Sequence, residues 1–359
     1  MDRYEDAGVA GQGEALSSVM RHLSPTFTFP ENAEVITSFG HYASVLKLTD
    51  DLAIAICTDG VGSKTMIASA LDRYDTIGFD VVAMNVNDII CVGARPLAMV
   101  DYVAVHTLDP RRTDEILRGL GAAAKEAGIA VPGGEIAQLP GVVGSPGDES
   151  AFDLVGACVG TVHPDRVIFG RDVHPRDALI GIASSGIHSN GLTLARNVLL
   201  ESGHYGLDEV IGTIGRPLGE ELLQPTEIYV RAITDLWAAD IETRGLVHIT
   251  GDGFTNLCRL EAEVGYDIDH LPDPPAIFGT IQDAGGVPDE EMFRVFNMGV
   301  GFVVVVPSDQ VDAALDRIAA SSYSATKVGT VTDEAGVVRI RPAGLIGGMV
   351  GGDSEFRHA

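Results

Sequence analysis

Residues 52–64, LAIAICTDGVGSK, place a short apolar run directly before a polar turn that contains two glycines. The apolar run predicts a buried strand. Asp59 follows at the C-terminal end of that strand, where open α/β sheets place their ligands. Gly60 and Gly62 let a backbone approach an anion closely, and Lys64 supplies a point charge for phosphate. The stretch predicts an anion site at a strand end, and a plain glycine turn capped by Asp59 is the alternative.

Two common nucleotide-binding motifs do not fit this turn. A P-loop needs lysine directly after glycine, but Ser63 separates Gly62 from Lys64. A dinucleotide-binding turn needs a third glycine where Thr65 stands. Gly60, Gly62 and Ser63 are therefore candidate cofactor-binding residues of a different kind of site.

The rest of the chain alternates strand-like and helix-like segments, which predicts an α/β fold in two related layers. Predicted strands lie at 97–106, 152–162, 301–307, 326–332 and 336–341, and predicted helices at 61–73, 80–92, 113–127 and 311–320. A polar segment with two prolines, 163–178, separates the halves. We predict an N-terminal α/β domain at 1–165, a C-terminal α/β domain at 166–345 and a flexible, glycine-rich tail at 346–359.

Polar side chains interrupt the apolar helix predicted at 80–92. Asn85 and Asp88 are three residues apart and share one helix face. If the fold brings Asp59 nearby, these residues could hold Mg²⁺, which prefers carboxylate oxygens together with phosphate and water. A hydrogen-bond network around the helix is the alternative.

Gly133, Gly134 and Glu135 form a turn after a short apolar segment. A carboxylate on a glycine turn at a strand end is a further possible metal ligand. The predicted metal set is therefore Asp59, Asp88 and Glu135, and the alternative for this third position is an ordinary turn.

The loop SSGIHSNG, residues 184–191, lies between a predicted strand and a predicted helix. Its polar residues Ser189 and Asn190, together with Gly191, precede a helix N-terminus and suit an oxyanion or phosphate site. His188 can act as an acid or base near neutral pH. A capped loop with an incidental histidine is the alternative.

Two further turns have the same strand–glycine pattern. HITGDGF, residues 248–254, presents His248, Thr250 and Gly251 as candidate ligand contacts. NMGVG, residues 297–301, leads into the strand predicted at 301–307. Plain glycine turns are the alternative for both, but six polar or glycine-containing segments at element ends in one chain favour a shared site.

The chain has 24 Lys and Arg against 51 Asp and Glu, a net charge of −27. Such a field repels nucleic-acid phosphates and anionic lipids, so neither is an expected partner. Only four of the 24 cations are lysine, and this scarcity together with the excess of carboxylates suggests adaptation to high salt. Four cysteines without a C-x-x-C pair, an acidic N-terminus and no long apolar run predict a cytoplasmic protein.

Nine strings, taken in order, resemble aminoimidazole ribonucleotide synthetase, the phosphoribosylformylglycinamidine cyclo-ligase family. They span nearly the whole chain: YEDAGV (4–9), TDGVGSK (58–64), TIGFDVVAMNVND (76–88), GARPL (93–97), GGEIAQLPG (133–141), SSGIHSNG (184–191), LLQPTEIYV (222–230), HITGDGF (248–254) and NMGVGF (297–302). The combination is far more specific than any one motif.

The resemblance implies an ATP-dependent ring closure of formylglycinamidine ribonucleotide to aminoimidazole ribonucleotide, with ATP and Mg²⁺ bound by the N-terminal domain. It implies a mixed α/β fold of two domains and a homodimer in which sheets of both chains close a central barrel. Asp59 and Asp88 would hold Mg²⁺, with Glu135 as a third ligand, and Lys64 would contact phosphate. His188 would be the acid/base or phosphate-stabilising group, and His248 would lie near the substrate.

The chain departs from the family pattern at three places. His41 interrupts a glycine-rich stretch, Gln138 replaces a carboxylate, and Asp252 replaces a glycine of the turn at 248–254. These departures concern the ligand contacts and leave the reaction class unchanged. Another ATP-dependent member of the superfamily, similar to thiamine-phosphate kinase, and a nucleotide-binding regulator without turnover are the alternative functions.

Overall fold

The computed structural model describes residues 3, 7, 13–145, 147–350 and 353–359, and it contains two mixed sheets. The first sheet has the strand order β1-β2-β3-β6-β4-β5, and its neighbours are antiparallel except for the parallel pair β4 and β5. Its strands are β1 (Glu34–Val35), β2 (Ser44–Lys47), β3 (Ala53–Gly60), β4 (Arg95–Val105), β5 (Ala130–Gln138) and β6 (Phe152–Val162).

The second sheet has the order β14-β13-β12-β9-β11-β7-β10-β8, with β12 and β9 parallel. Its strands are β7 (Ala178–Ala183), β8 (Gly245–His248), β9 (Gly265–Ile268), β10 (Val300–Val306), β11 (Ala325–Thr332), β12 (Val338–Ile340), β13 (Leu345–Val350) and β14 (Asp353–His358). Every residue of β10, VGFVVVV, is buried, as expected for a strand covered on both faces.

Helices pack against both sheets. They are α1 (Gly13–Leu23), α2 (Lys64–Leu71), α3 (Ile77–Cys91), α4 (Pro110–Ala127), α5 (Leu192–Arg196), α6 (Leu218–Leu222), α7 (Val230–Ala238), α8 (Ala276–Gly285), α9 (Asp289–Val295) and α10 (Val311–Ala320). None of the described helices is long and apolar enough to cross a membrane.

One face of the first sheet is covered by helix α3, and among the described residues the side chains on the other face remain largely accessible. In β6 the even-numbered residues are buried, whereas the odd-numbered residues are more accessible, which follows from the two-residue period of a strand. Helix α3 is almost entirely buried because it lies between β3 and β6 on one side and α4 on the other. It also contacts β8 of the second sheet, so it connects the two halves of the chain.

The predicted α/β fold is confirmed, and so are most of the predicted elements. The strands expected at 97–106, 152–162 and 301–307 and the helix expected at 311–320 appear within two residues of their predicted ends. The helix expected at 61–73 spans only Lys64–Leu71, because Gly62 before it (φ 70°) and Asp72 after it (φ 51°) adopt left-handed conformations.

The prediction of a flexible tail at 346–359 is wrong. Residues 345–350 and 353–358 form a hairpin, β13 and β14, at the edge of the second sheet. Glycine serves close strand approach here, because a Cβ on Gly347 would lie 2.1 Å from the carbonyl oxygen of Glu355. The high glycine content of this segment suggested a flexible tail, whereas the glycines allow strands β13 and β14 to pair.

Candidate active site

Two carboxylates and a histidine meet where the two halves of the chain join. Asp59 stands near the end of β3, Asp88 near the end of α3, and His248 is the last residue of β8. The Nδ1 of His248 lies 3.0 Å from Oδ1 of Asp88. The backbone N–H of Gly60 donates to Oδ1 of Asp59 at 2.7 Å. The charges of Asp88 and His248 also act on the pKa of Asp59, so the strand-end turn, the α3 carboxylate and the 248–254 turn are neighbours.

Asp59 is a carboxylate whose ionisation is disfavoured by its surroundings. Burial, reinforced by repulsion from Asp88, raises the pKa of Asp59 to about 6. Among the described residues, no group of three or more His, Cys, Asp or Glu side chains is arranged as a metal site. Mg²⁺ usually takes only one or two protein carboxylates and completes its shell with phosphate and water, so the Asp59 and Asp88 pair suits it.

His188 is held as a neutral imidazole. The backbone N–H groups of Ser185 and Glu227 donate to its Nε2 at 3.2 and 3.5 Å, so the ring proton resides on Nδ1. Burial lowers the pKa of His188 well below its usual range, and the nearby His248 and Lys64 lower it further. Its Nδ1 is buried without a hydrogen-bond partner among the described residues. The site therefore contains a neutral N–H donor with unused capacity.

A non-glycine residue rarely adopts the backbone conformation of His188, φ 68°. Gly301 makes room for its ring, because a Cβ there would lie 2.6 Å from Cε1 of His188 and 2.1 Å from the hydroxyl of Tyr229. Asn297 fixes the same loop by donating to the carbonyl oxygens of Gly186 and Ile187. The turn at 297–301 thus supports the His188 loop.

The predicted glycine turns also meet one another. The hydroxyls of Ser63 and Thr193 lie 3.0 Å apart, which joins the 58–64 turn to helix α5. A Cβ on Gly251 would lie 3.5 Å from Nδ2 of Asn190, so the 248–254 turn meets the His188 loop. The Oδ1 of Asn256 accepts from the N–H of Thr250 at 2.7 Å and shapes that turn. Separate stretches of the sequence therefore converge on one site.

Lys64 does not face this site as a free cation. Its side chain is fully buried, and its ammonium lies 2.7 Å from Oδ1 of Asp80 and donates to the carbonyl oxygen of Gln224. The ammonium that was expected to contact phosphate is thus engaged within the chain. The lysine ties helix α2 to α3 and to the segment that follows α6.

Glu135 also lies apart from the other predicted ligands. Strand register places Asp59, Gly156, Asp101 and Gly134 in one row across four strands, whereas Glu135 belongs to the next row. Successive rows point to opposite faces, and three strand spacings amount to about 14 Å. Within one chain, Glu135 therefore does not join Asp59 and Asp88 in a metal site. Gly133 and Gly134, on the same strand as Glu135, are likewise distant from Asp59.

The asparagines of α3 serve hydrogen bonding, as the alternative interpretation proposed. Asn85 donates to the carbonyl oxygen of Asp59 at 3.1 Å and so supports the end of β3. Asn87 accepts from the N–H of Tyr229 at 2.9 Å and donates to the carbonyl oxygen of Glu227. Asn85 thus supports Asp59 through a hydrogen bond to its backbone.

Three residues that organise the site, Asp80, Thr226 and Tyr42, have roles that were not predicted from the sequence. Asp80 is completely buried and accepts from the N–H and hydroxyl of Thr226 at 2.8 and 2.7 Å. The hydroxyl of Tyr42 donates to the carbonyl oxygen of His248 at 2.9 Å. Buried polar residues within the strings 76–88 and 222–230 were the available signal. Most of the 4–9 string lies outside the described residues.

Comparison with known proteins identifies the family of the chain. The family model "AIR synthase related protein, N-terminal domain" matches residues 40–162, and the C-terminal domain model of the same family matches residues 175–341. The chain belongs to the AIR synthase related protein family. The family predicted from the sequence is thereby confirmed.

Two archaeal relatives of this AIR synthase family member are similar over almost their whole length. The phosphoribosylformylglycinamidine cyclo-ligase of Methanobrevibacter smithii is 45% identical over 93% of this chain and 96% of its own. That of Methanothermobacter thermautotrophicus is 46% identical over 95% and 97%. Among solved structures, AaThiL complexed with AMPPCP and TMP shares the fold, with a TM-score of 0.63, 14% identity and coverage of 97% of each chain.

Proposed function

We propose that this protein is an ATP-dependent cyclo-ligase that forms a C–N bond in de novo purine biosynthesis. It converts formylglycinamidine ribonucleotide to 5-aminoimidazole ribonucleotide and releases ADP and phosphate. ATP phosphorylates the formyl amide oxygen, a nitrogen of the substrate attacks the activated carbon, and phosphate leaves. Relatives of this name at about 45% identity support the assignment.

The observation that carries the proposal is the meeting of Asp59, Asp88 and His248 beside the His188 loop. Two half-buried carboxylates suit a cation that accompanies a triphosphate. The neutral N–H of His188, which has no hydrogen-bond partner among the described residues, suits an oxygen that gains negative charge during phosphoryl transfer. One boundary between the halves thus offers both kinds of group.

The residues would divide the work as follows. Bound Mg²⁺ would offset the charge of the triphosphate, with Asp59 and Asp88 as its protein ligands. The Nδ1–H of His188 would donate to the transferring phosphoryl group or to the leaving oxygen. The Ser189 to Gly191 backbone and the 250–251 turn would bind nucleotide and substrate. Lys64 would act indirectly, by fixing the segments around Asp80.

A product assay tests the proposal directly. The protein is supplied with formylglycinamidine ribonucleotide, ATP and Mg²⁺, and ADP and aminoimidazole ribonucleotide are measured. We expect the two products to appear in equal amounts. Binding of ATP without product would identify a regulator, and phosphorylation of thiamine phosphate in its place would identify a kinase.

Substitutions in the site extend this test. We expect Asp59→Asn and His188→Gln to lower kcat at least about 100-fold. His188→Gln is chosen because its amide oxygen can replace Nε2 as an acceptor while the Nδ1–H is lost. His163→Gln, in the half-exposed segment between the domains, is the control and should keep the wild-type kcat. A wild-type rate in either site variant would remove that residue from the mechanism.

We further propose that the protein acts in the cytoplasm as a homodimer. The open face of the first sheet carries Ile56, Val100 and Tyr102, each at least 41% exposed. An apolar sheet face of this kind is typical of a surface that a second chain covers. Glu135 shares the row of Tyr102 on that face, so a dimer would place Glu135 at the interface between the chains.

A further inference from the structure

Tyr42 links the first half of the chain to the backbone of His248. It lies just before β2 and is buried, and its hydroxyl donates to the carbonyl oxygen of His248 at 2.9 Å. His248 is also the residue whose ring reaches Asp88 across the boundary between the halves. The position of the His248 backbone is therefore fixed from the first half of the chain.

Arg259 contacts the aromatic ring of Tyr42. Its guanidinium carbon lies 5.1 Å from the centre of that ring, within the range of a cation–π contact. Asp252 pairs with the same guanidinium at 2.9 Å. Asp252 is the residue that replaces a glycine of the family pattern, so this ion pair belongs to the departure found in the sequence.

Asp252 is itself anchored by the turn that follows it and by the C-terminal hairpin. The hydroxyl of Thr255 donates to the carbonyl oxygen of Asp252 at 2.7 Å. The hydroxyl of Ser354, on β14, lies 2.9 Å from that of Thr255. A continuous set of contacts therefore runs from the C-terminal hairpin through Asp252 and Arg259 to Tyr42.

We propose that Asp252, Arg259 and Tyr42 form a positioning clamp that keeps His248 against Asp88. Asp252 orients the guanidinium of Arg259, the guanidinium fixes the Tyr42 ring, and the Tyr42 hydroxyl fixes the His248 carbonyl. Misplacement of a group in the site by about 1 Å can cost on the order of 100-fold in rate. The clamp acts on the geometry of the site proposed above, and its role in turnover rests on that function.

Single substitutions test each part of the clamp. Tyr42→Phe removes only the hydroxyl, and Asp252→Asn removes only the charge. We expect each to lower kcat about 10-fold with KM for both substrates changed less than about twofold. Tyr266→Phe is the matched control for the first, because Tyr266 is a buried tyrosine whose hydroxyl has no partner among the described residues. Glu334→Gln is the control for the second, since it removes one charge from an ion pair with Arg339 that includes no residue of the clamp.

A double variant distinguishes a clamp from two unrelated effects. Because Asp252 and Tyr42 act through the same contact, Asp252→Asn/Tyr42→Phe should lower kcat no more than about twofold beyond the more damaging single change. If the double variant lowered kcat by the product of the two single effects, about 100-fold, the clamp would be overturned. Wild-type kcat in both single variants would also overturn it.

A crystal structure of Tyr42→Phe gives a readout that does not depend on turnover. We expect the 3.0 Å contact between His248 Nδ1 and Asp88 Oδ1 to lengthen beyond hydrogen-bond distance. An unchanged contact would overturn the proposal, whatever the activity. If the wild-type protein forms no aminoimidazole ribonucleotide but the contact lengthens in the variant, the proposed function fails while the clamp stands.

Discussion

Lys64 shows how burial changes the role of a single residue. Its ammonium and the Asp80 carboxylate are both completely shielded from solvent. Burial lowers the pKa of Lys64, and the attraction of Asp80 opposes that effect. Removing one partner leaves an uncompensated buried charge, so Lys64→Met should cost about 3–5 kcal/mol in the free energy of unfolding, measured by urea denaturation.

The double variant separates this structural role from phosphate binding. Lys64→Met/Asp80→Asn should recover most of the lost stability, because the amide of asparagine can still accept from Thr226 without a buried charge. Lys125→Met, an exposed lysine, is the control and should change stability by less than about 0.5 kcal/mol. Stability like that of the wild type in Lys64→Met, together with a raised KM for ATP, would return Lys64 to the role the sequence suggested.

Residue types and spacing predicted which segments of the chain meet but not the direction of each side chain. Asp59, Asp88 and His248 meet as expected because turns at the ends of neighbouring elements lie close together. The burial of Lys64 depends on Asp80 and on a carbonyl 160 residues away, which no local pattern reveals. Glu135 does not lie beside Asp59 and Asp88, because the register of four paired strands decides which face of the sheet it occupies.

His41 provides a test of stability against pH. Burial lowers its pKa from 6.5 to about 4, because the protonated form loses its hydration. Between those values the unfolded chain binds a proton that the folded chain does not, so stability falls as the pH decreases from 6.5 towards 4. The difference corresponds to at most about 3 kcal/mol.

The measurement compares wild type with His41→Asn over that pH range by thermal unfolding. Asparagine cannot titrate, but its side-chain oxygen can take the place of the Nδ1 that accepts from the N–H of Tyr42 at 3.1 Å. We expect the fall in Tm between pH 6.5 and pH 4 to be smaller in the variant. Equal pH dependence in the two proteins would show that His41 does not carry this linkage.

Among the elements, the C-terminal hairpin has the clearest structural consequence. Strand β14 pairs with β13 over six residues and places Ser354 against Thr255, next to the 248–254 turn. Deleting 353–359 should therefore lower both the Tm and the rate of ring closure, measured by differential scanning fluorimetry and the product assay. Ser354→Ala keeps the strand and removes only the hydroxyl, so it should lower the Tm and the rate less than the deletion does. A truncated protein with wild-type Tm and rate would mean that the tail is not part of the sheet.

Element prediction succeeded where hydrophobic periodicity was long and failed where strands were short or rich in glycine. β10 and α10 follow from an unbroken valine run and a clear helical period. β13 contains two adjacent glycines, whose use in close packing depends on the strand beside them. β5 runs to Gln138 through Gly133 and Gly134, although these glycines suggested a turn.

At the scale of the whole molecule, the open sheet face predicts the oligomeric state. Ile56→Lys or Tyr102→Lys places a charge on the face of the first sheet that helix α3 does not cover. We expect the wild type to have twice the chain mass of 37.7 kDa by light scattering and both variants to approach the mass of one chain. Leu117→Lys, on helix α4 with similar exposure, is the control and should stay dimeric. A monomeric wild type would contradict the proposed dimer.

The net charge of −27 determines how the molecule should respond to salt. Like charges on one surface repel, and the screening length falls from about 10 Å at 0.1 M salt to about 3 Å at 1 M. We therefore expect the Tm to rise by more than about 5 °C between 0.1 M and 2 M KCl. The rise in Tm should be smaller in a triple variant that neutralises three exposed acidic residues, Glu31→Gln, Asp208→Asn and Asp273→Asn. Less repulsion between like charges then remains for salt to screen. Equal Tm values at both salt concentrations would show that the acidic surface does not limit stability, and an unchanged rise in the triple variant would assign the effect to salt acting on apolar burial instead.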